Sequence, residues 1–357
     1  MAFLDKLKKI WSLRPSRKMR AIGIEHALLI DAPNVFIEKS VARPKPKAHE
    51  LLVKVSASAI NPVDTKMRAT YQNDGEFRIL GFDATGEVMS TGEEVTQFAI
   101  GDRVYYAGVQ IKPGSNAEYQ VVNEALVGQA PKSLTTAEIA ALPLTSITAS
   151  EILTDAFGYD ITENAAQGKS ILILNGAGGV GSILIQLAKY LGMVVITTAS
   201  RPESVAWVKN LGADYILDYH QNLHEQLLQI QHDKVDHIAI LQNTDAYWPL
   251  VLQAIKPFGR IASIVDTTEA VDIAPLKNIG AQFSWVFMFA KGNYGVSMQT
   301  QGDALNRMSE LADRGVIQST LNKTYNGLTV ENIQQATRDV EANHMTGKVV
   351  VTYEAIQ

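Results

Sequence analysis

The chain has 357 residues, 46% of them apolar and 19% charged, with no cysteine and a net charge of −5. That length predicts two domains rather than one, and the composition is that of a folded protein with ample core. Disulfides and thiolate metal sites are excluded, no apolar run reaches the 18 or so residues of a membrane span, and the acidic balance argues against nucleic-acid binding.

The charge is unevenly spread. Residues 1–20 hold Lys6, Lys8, Lys9, Arg14, Arg17, Lys18 and Arg20 against Asp5, a surplus of +6 that leaves −11 for the rest. Phe3, Leu4, Leu7, Ile10 and Trp11 share one helical face, so residues 1–18 read as a basic amphipathic leader. Such a helix either rests weakly on an anionic membrane surface or docks on the protein itself. It lacks the small-residue cleavage site of a secretory signal, and the missing cysteines fit a reducing, cytoplasmic location.

Residues 19–150 read as a β-rich, barrel-like unit. Leu51, Val53, Val55 and Ala57 alternate with more polar positions, and Pro44, Pro46, Pro62, Gly81, Gly86, Gly92, Gly101 and Gly114 punctuate the segment. From 151 to 290 strands and helices alternate: Ile171–Leu174, Val194–Thr198, Tyr215–Leu217, His237–Leu241 and Arg260–Val265 are the expected strands. That alternation implies a doubly wound parallel sheet, and hence an α/β fold overall. The run Phe283–Ala290 is unusually apolar for a sheet edge; it either pairs with a two-fold mate in a homodimer or lies as core under a loop. Helices around Leu305–Leu311 and Val330–Val340 and a last strand, Lys348–Tyr353, should fold back onto the first unit, giving a catalytic domain of 19–150 and 291–357 around a nucleotide domain of 151–290.

The strongest motif lies inside the second unit. Ile171–Leu174 suits a strand buried on both faces; Asn175-Gly176-Ala177-Gly178-Gly179-Val180-Gly181 follows; and Val180, Ile183, Leu184, Leu187, Ala188 and Leu191 recur at helical spacing. A strand-to-helix turn on G-x-G-x-x-G is a dinucleotide site: Gly176 takes the turn, Gly178 leaves room for the pyrophosphate, Gly181 lets helix meet strand, and the N–H groups from Gly179 and Val180 onward face the anion. The next strand ends in Ala199-Ser200-Arg201 with no Asp or Glu to hold a ribose 2′-hydroxyl. Ser200 and Arg201 suit a 2′-phosphate instead, so the expected cofactor is NADPH. Ser200-x-x-Glu203 also has the form of a helix N-cap and capping box. His220 and His224 share a helical face but have no third ligand, and read as surface histidines.

Several blocks resemble the medium-chain dehydrogenase/reductase superfamily over residues 19–357, above all its quinone oxidoreductase-like branch: Asn61-Pro62-Val63-Asp64-Thr65-Lys66, Gly81-Phe82-Asp83-Ala84-Thr85-Gly86, Gly101-Asp102-Arg103-Val104, Gly114-Ser115-Asn116-Ala117-Glu118-Tyr119, Ala140 through Ala149, the glycine loop, Thr198 through Glu203, and Gly347-Lys348-Val349-Val350. The resemblance implies a GroES-like catalytic domain joined to a Rossmann domain, with the active site between them, and NADPH-dependent reduction of quinones or α,β-unsaturated carbonyls. Zinc-containing relatives carry ligands at the positions matching Asn61, Phe82-Asp83 and Thr145–Thr148; those ligands are absent, which implies zinc-independent chemistry with no metal.

By motif position, Asn61 and Thr148 line the nicotinamide side of the cleft, or else serve only a turn and a helix carbonyl. Many quinone reductase relatives have a Tyr, a candidate proton donor, where this chain has Lys66, so Lys66 or water delivers the proton. Tyr219 matches a tyrosine beside the 2′-phosphate, Asn243 follows a parallel strand where ribose is held, and Lys348 is positioned to reach a cofactor phosphate. The alternative is a non-catalytic NADPH-binding redox sensor or structural relative that kept the fold.

Overall fold

The structure, a computed structural model, describes residues 17–72 and 75–353. The leader expected over residues 1–18 therefore lies outside the described residues except for its last two, and Lys18 already opens the first strand. In chain order the first region holds β1 (Lys18–Ile24), β2 (Ile37–Ala42), β3 (Glu50–Ile60), α1 (Pro62–Ala69), β4 (Arg78–Ile79), β5 (Asp83–Thr91), β6 (Arg103–Tyr106), β7 (Tyr119–Asn123) and β8 (Val127–Gln129). α2 (Thr136–Ala140) and α3 (Pro143–Glu151) follow, and α3 runs on into a π-helical turn at Ile152–Ala156.

The middle of the chain alternates as expected: β9 (Ser170–Leu174), α4 (Gly179–Tyr190), β10 (Val194–Thr198), α5 (Pro202–Asn210), β11 (Tyr215–Leu217), α6 (Leu223–Gln229), β12 (Val235–Ile240), α7 (Thr244–Ala254), β13 (Ile255–Ser263), α8 (Ala274–Asn278) and β14 (Gln282–Trp285). All six strands are parallel, in the order β11-β10-β9-β12-β13-β14. Order reverses between β9 and β12, so a crevice opens at their carboxyl ends, where the glycine loop lies. Every residue of β9 is buried, as a strand covered on two faces requires; Ile171–Leu174 are apolar, and the hydroxyl of Ser170 is satisfied by Asp236. Leu184, Leu187 and Ala188 of α4 seal one face of the sheet, and Trp248 and Val251 of α7 the other. Burial of each such leucine contributes about 1.5–3 kcal/mol. β13 starts five residues before the expected Arg260.

The chain ends with α9 (Phe289–Tyr294), α10 (Gln299–Asp313), β15 (Leu321–Asn326), α11 (Val330–Glu341) and β16 (Lys348–Thr352). Among the described residues β3, β5, β6, β7, β8, β15 and β16 form one seven-stranded sheet, so the tail does return to the first region. The register there builds the site. β16 runs antiparallel to β3 with Val349 opposite Ile60, and β3 runs antiparallel to β5 with Ala59 opposite Asp83. Residues just outside or at the ends of three adjacent strands, Lys348, Asn61 and Asp83, thus come to one end of the sheet.

The apolar run Phe283–Ala290 divides its roles. β14 is the open edge of the parallel sheet and pairs only with β13 among the described residues. Trp285 and Phe287 are about half exposed, whereas Val286, Met288 and Phe289 are buried.

Candidate active site

The glycine loop is shaped by what its backbone touches. The left-handed residue of the turn is Asn175, with φ 80°, rather than Gly176 as expected from the motif. Asn175 N–H donates to Thr198 Oγ1 at 2.8 Å. Gly176 is needed for a different reason: a Cβ there would lie 3.0 Å from Thr197 Cβ and closer still to its hydroxyl. A Cβ on Gly181 would lie 2.6 Å from Gly176 Cα, which explains the close meeting of helix and strand. Gly178 caps α4 with no side-chain acceptor, so the first-turn N–H groups at Gly179, Val180 and Gly181, which no earlier helical carbonyl can reach, are left for an anion.

At the end of β10 the helix that follows starts at Pro202 with Arg201 as its N-cap, so the capping box expected at Ser200 does not form. Ser200 Oγ is buried and has no partner among the described residues. The Arg201 guanidinium beside it is about one-third exposed, with Nε 3.4 Å from Glu203 and Nη2 3.2 Å from Ser204 Oγ. An orphaned hydroxyl next to a guanidinium, with no carboxylate ending the strand, fits a ribose phosphate. Tyr219 is exposed after β11, its ring 4.5 Å from that of His220. Asn243, with φ 47°, spends its carboxamide oxygen Oδ1 capping α7 at Ala246 N–H, 3.1 Å away.

The second half of the site is made of side chains. Asp83 is fully buried; its Oδ1 accepts Leu144 N–H at 2.7 Å, at the start of α3, and its Oδ2 accepts Asn61 Nδ2 at 2.8 Å and Lys348 Nζ at 3.0 Å. Lys348 Nζ also donates to Asn61 Oδ1 and, at 3.2 Å, to Ile60 O. The Asn61 backbone N–H goes to Asp64 Oδ2 at 2.8 Å, while its carboxamide bonds to Asp83 and Lys348. Asp64 accepts Gly81 N–H as well, at 3.0 Å; burial raises its pKa to about 7, against the lowering effect of those two N–H groups and of Lys348. Thr148 is buried, and its hydroxyl donates to Leu144 O at 2.8 Å, one turn back along α3.

The two halves meet through Lys348. Gly347 N–H donates to Ala177 O at 2.9 Å, and Gly347 bridges Gly178. A Cβ on Gly179 would meet Lys348 Cδ and Thr145 Cγ2, each at 3.0 Å. The lysine stem therefore crosses the glycine loop, but its ammonium lies on Asn61 and Asp83 rather than turning to the loop as a phosphate ligand. Lys66 is brought to neither half: it is exposed on α1. The structure thus joins Asn61 and Lys348 and sets Thr148 one helical turn from Leu144, which Asp83 holds. Asp83 and Asp64 were legible only as parts of motifs. Among the described residues no group of three or more His, Asp and Glu is placed to hold a metal ion.

A glycine-loop crevice set against a buried polar corner of a β-rich unit defines a nicotinamide-dependent oxidoreductase. The chain belongs to the medium-chain dehydrogenase/reductase superfamily: residues 47–132 match the alcohol dehydrogenase GroES-like domain and residues 211–351 the zinc-binding dehydrogenase family. It is 40% identical over 334 residues to a zinc-type alcohol dehydrogenase-like protein of Staphylococcus epidermidis, covering 93% of this chain and 99% of that one. It is 32% identical to a chloroplastic NADPH-dependent alkenal/one oxidoreductase of Arabidopsis thaliana, covering 88% of this chain and 75% of that one. Among solved structures it is similar to an alcohol dehydrogenase superfamily protein of Novosphingobium aromaticivorans (TM-score 0.82, 28% identity, 94% of this chain and 100% of that one). It is also similar to the quinone oxidoreductase of Coxiella burnetii (TM-score 0.78, 27% identity, 94% and 100%). No described helix is long and apolar enough to cross a membrane.

Proposed function

We propose that the protein is a zinc-independent, NADPH-dependent reductase of quinones or α,β-unsaturated carbonyls. The observation that carries this reading is the Lys348 ammonium seated between Asn61 and Asp83, at positions that match metal ligands in zinc-containing relatives. A cation fixed there repels a second one, and the remaining oxygens are already hydrogen-bonded. Ser200 and Arg201 favour NADPH over NADH for the reasons of charge and hydrogen bonding given above, and the alkenal/one and quinone oxidoreductase relatives support the acceptor class.

NADPH, when bound, supplies a hydride from C4 of its nicotinamide. The protein's part is to hold the acceptor and to stabilise the charge that develops. Hydride addition at the β-carbon of an enone moves the electron pair to the carbonyl oxygen, and a proton then completes the saturated product. Asn61 Nδ2 has a second N–H beyond the one given to Asp83, and that donor serves the developing oxyanion. Thr148 lines the same side of the cleft. Water supplies the proton, because Lys66 is exposed. Gly176, Gly178, Gly179, Val180 and Gly181 hold the pyrophosphate, Tyr219 flanks the 2′-phosphate, and Asn243 holds ribose. In this reading residues 19–150 and 291–357 are the catalytic domain and 151–290 the nucleotide domain. The protein works in the cytoplasm as a homodimer joined at the β14 edge, where Trp285 is half exposed.

The test is steady-state NADPH oxidation against a panel of enals, enones and quinones, with elemental analysis of the same sample. Turnover with no stoichiometric metal supports the reading. Tight NADPH binding with no turnover points to the redox-sensor alternative, and bound zinc overturns the metal-free assignment.

A further inference from the structure

The ammonium of Lys348 has three N–H donors, and the structure gives all three to acceptors: Asn61 Oδ1, Ile60 O and Asp83 Oδ2. With Lys348 4% exposed and Asp83 at 0%, solvent does not compete for these bonds. A saturated ammonium has no proton aimed at a substrate, so it is not an acid for the reaction. Its effect falls on Asn61. The amide oxygen faces a cation and the amide nitrogen faces a carboxylate, so the two ends of the carboxamide cannot exchange without placing N–H against ammonium and C=O against carboxylate. Asp83 is in turn held by Leu144 N–H at the start of α3 and cannot follow a rotation.

We propose that Lys348 and Asp83 are positioning residues that fix the Asn61 carboxamide in one orientation, with its free N–H available to the acceptor, and that the Lys348 stem ties this orientation to the glycine loop. The proposal rests on the reductase reading for its kinetic consequence. Its geometric consequence stands without that reading. A buried ion pair of this kind adds little to stability relative to an apolar pair, and its use lies in specifying one arrangement.

Two variants separate this from a merely structural pair. K348M keeps a long stem over Gly179 and Thr145 while removing the charge, and leaves Asp83 to hold Asn61 Nδ2; D83N/K348M removes both charges and, with the amide oxygen at position 83 taken by Leu144 N–H, turns an NH2 group toward Asn61. For D83N/K348M, kcat should fall about tenfold or more, as expected when a catalytic donor is misplaced, with acceptor KM and NADPH Kd within about threefold of wild type. K348M should lose less, about threefold in kcat, because Asp83 still accepts from Asn61 Nδ2 while Asn61 Oδ1 has lost its donor. Crystal structures of both apo variants should show the Asn61 carboxamide still bonded to Asp83 in K348M and turned over, its oxygen toward position 83, in the double variant. A D83N/K348M protein with a lowered melting temperature but wild-type kcat and an unmoved Asn61 overturns the proposal. If the double variant does not fold, K348M is judged by the same readouts: a kcat lowered about threefold with acceptor KM unchanged supports the proposal, and a wild-type kcat overturns it. If the wild-type protein reduces no acceptor, the function reading fails, and the Asn61 orientation in the variant crystals alone decides the positioning role.

Discussion

The glycine-loop crevice and the Asn61 corner are neighbours, joined by the Lys348 stem and built on opposite plans. In the crevice the backbone is the binding surface, and side chains matter mainly by their absence: Gly176 and Gly181 are closed in by Thr197, Asn175 and each other. In the corner the backbone is only a frame, and three side chains from distant positions complete one another. The first kind of site fails when an atom is added, the second when one is removed.

That contrast can be broken or sharpened by substitution. Gly181→Val should have the largest effect: its Cβ would overlap the turn at Asn175 and Gly176, costing about 3 kcal/mol of stability by overpacking, read as a lower urea midpoint and lost NADPH binding. Asn61→Ala should lower kcat/KM about 100-fold, the loss typical of an oxyanion donor, with NADPH Kd unchanged by fluorescence titration. If both parameters fell together, the two halves would not be separable. Arg201→Ala should raise KM for NADPH about tenfold by removing a charge-assisted hydrogen bond, and leave KM for NADH within about twofold.

A pH effect comes next in size. Asp64 has its pKa raised by burial to about 7, above its ordinary 3.8, so the folded protein binds more protons than the unfolded chain between those values. Stability from this group is therefore fully present below pH 4 and is lost as pH rises toward 7. Urea unfolding between pH 5 and 8 should show a falling slope that Asp64→Asn abolishes. The smallest effect is expected at Lys66→Gln, which should leave kcat and stability within about twofold and 0.5 kcal/mol, as for an exposed position without partners in the corner. A large loss of kcat there would restore Lys66 as the proton donor.

The two plans also explain what could be read from the sequence. The crevice is written in one continuous stretch, Ile171 to Leu191, where strand, glycines and helix follow at fixed spacing, so its place and ligand class were legible. Even so, the left-handed turn fell to Asn175, which can adopt that conformation, and Ser200 proved to be an orphan rather than a cap, because Pro202 started the helix one residue later. The corner depends on register. Lys348 and Asp83 are 265 positions apart, and nothing local to Gly347-Lys348 says that β16 will lie beside β3 with Val349 opposite Ile60. Asn61 was found by motif, and Lys348 was assigned to the cofactor because the stem's destination could not be seen.

The bond from Gly347 to Ala177 has a mechanical corollary. It is a stitch between the end of the chain and the first turn after β9, so a swing of the β-rich unit away from the nucleotide sheet keeps it only when the pivot lies near Gly347. An opening about any other axis breaks that hydrogen bond, at a cost of about 0.5–1.5 kcal/mol.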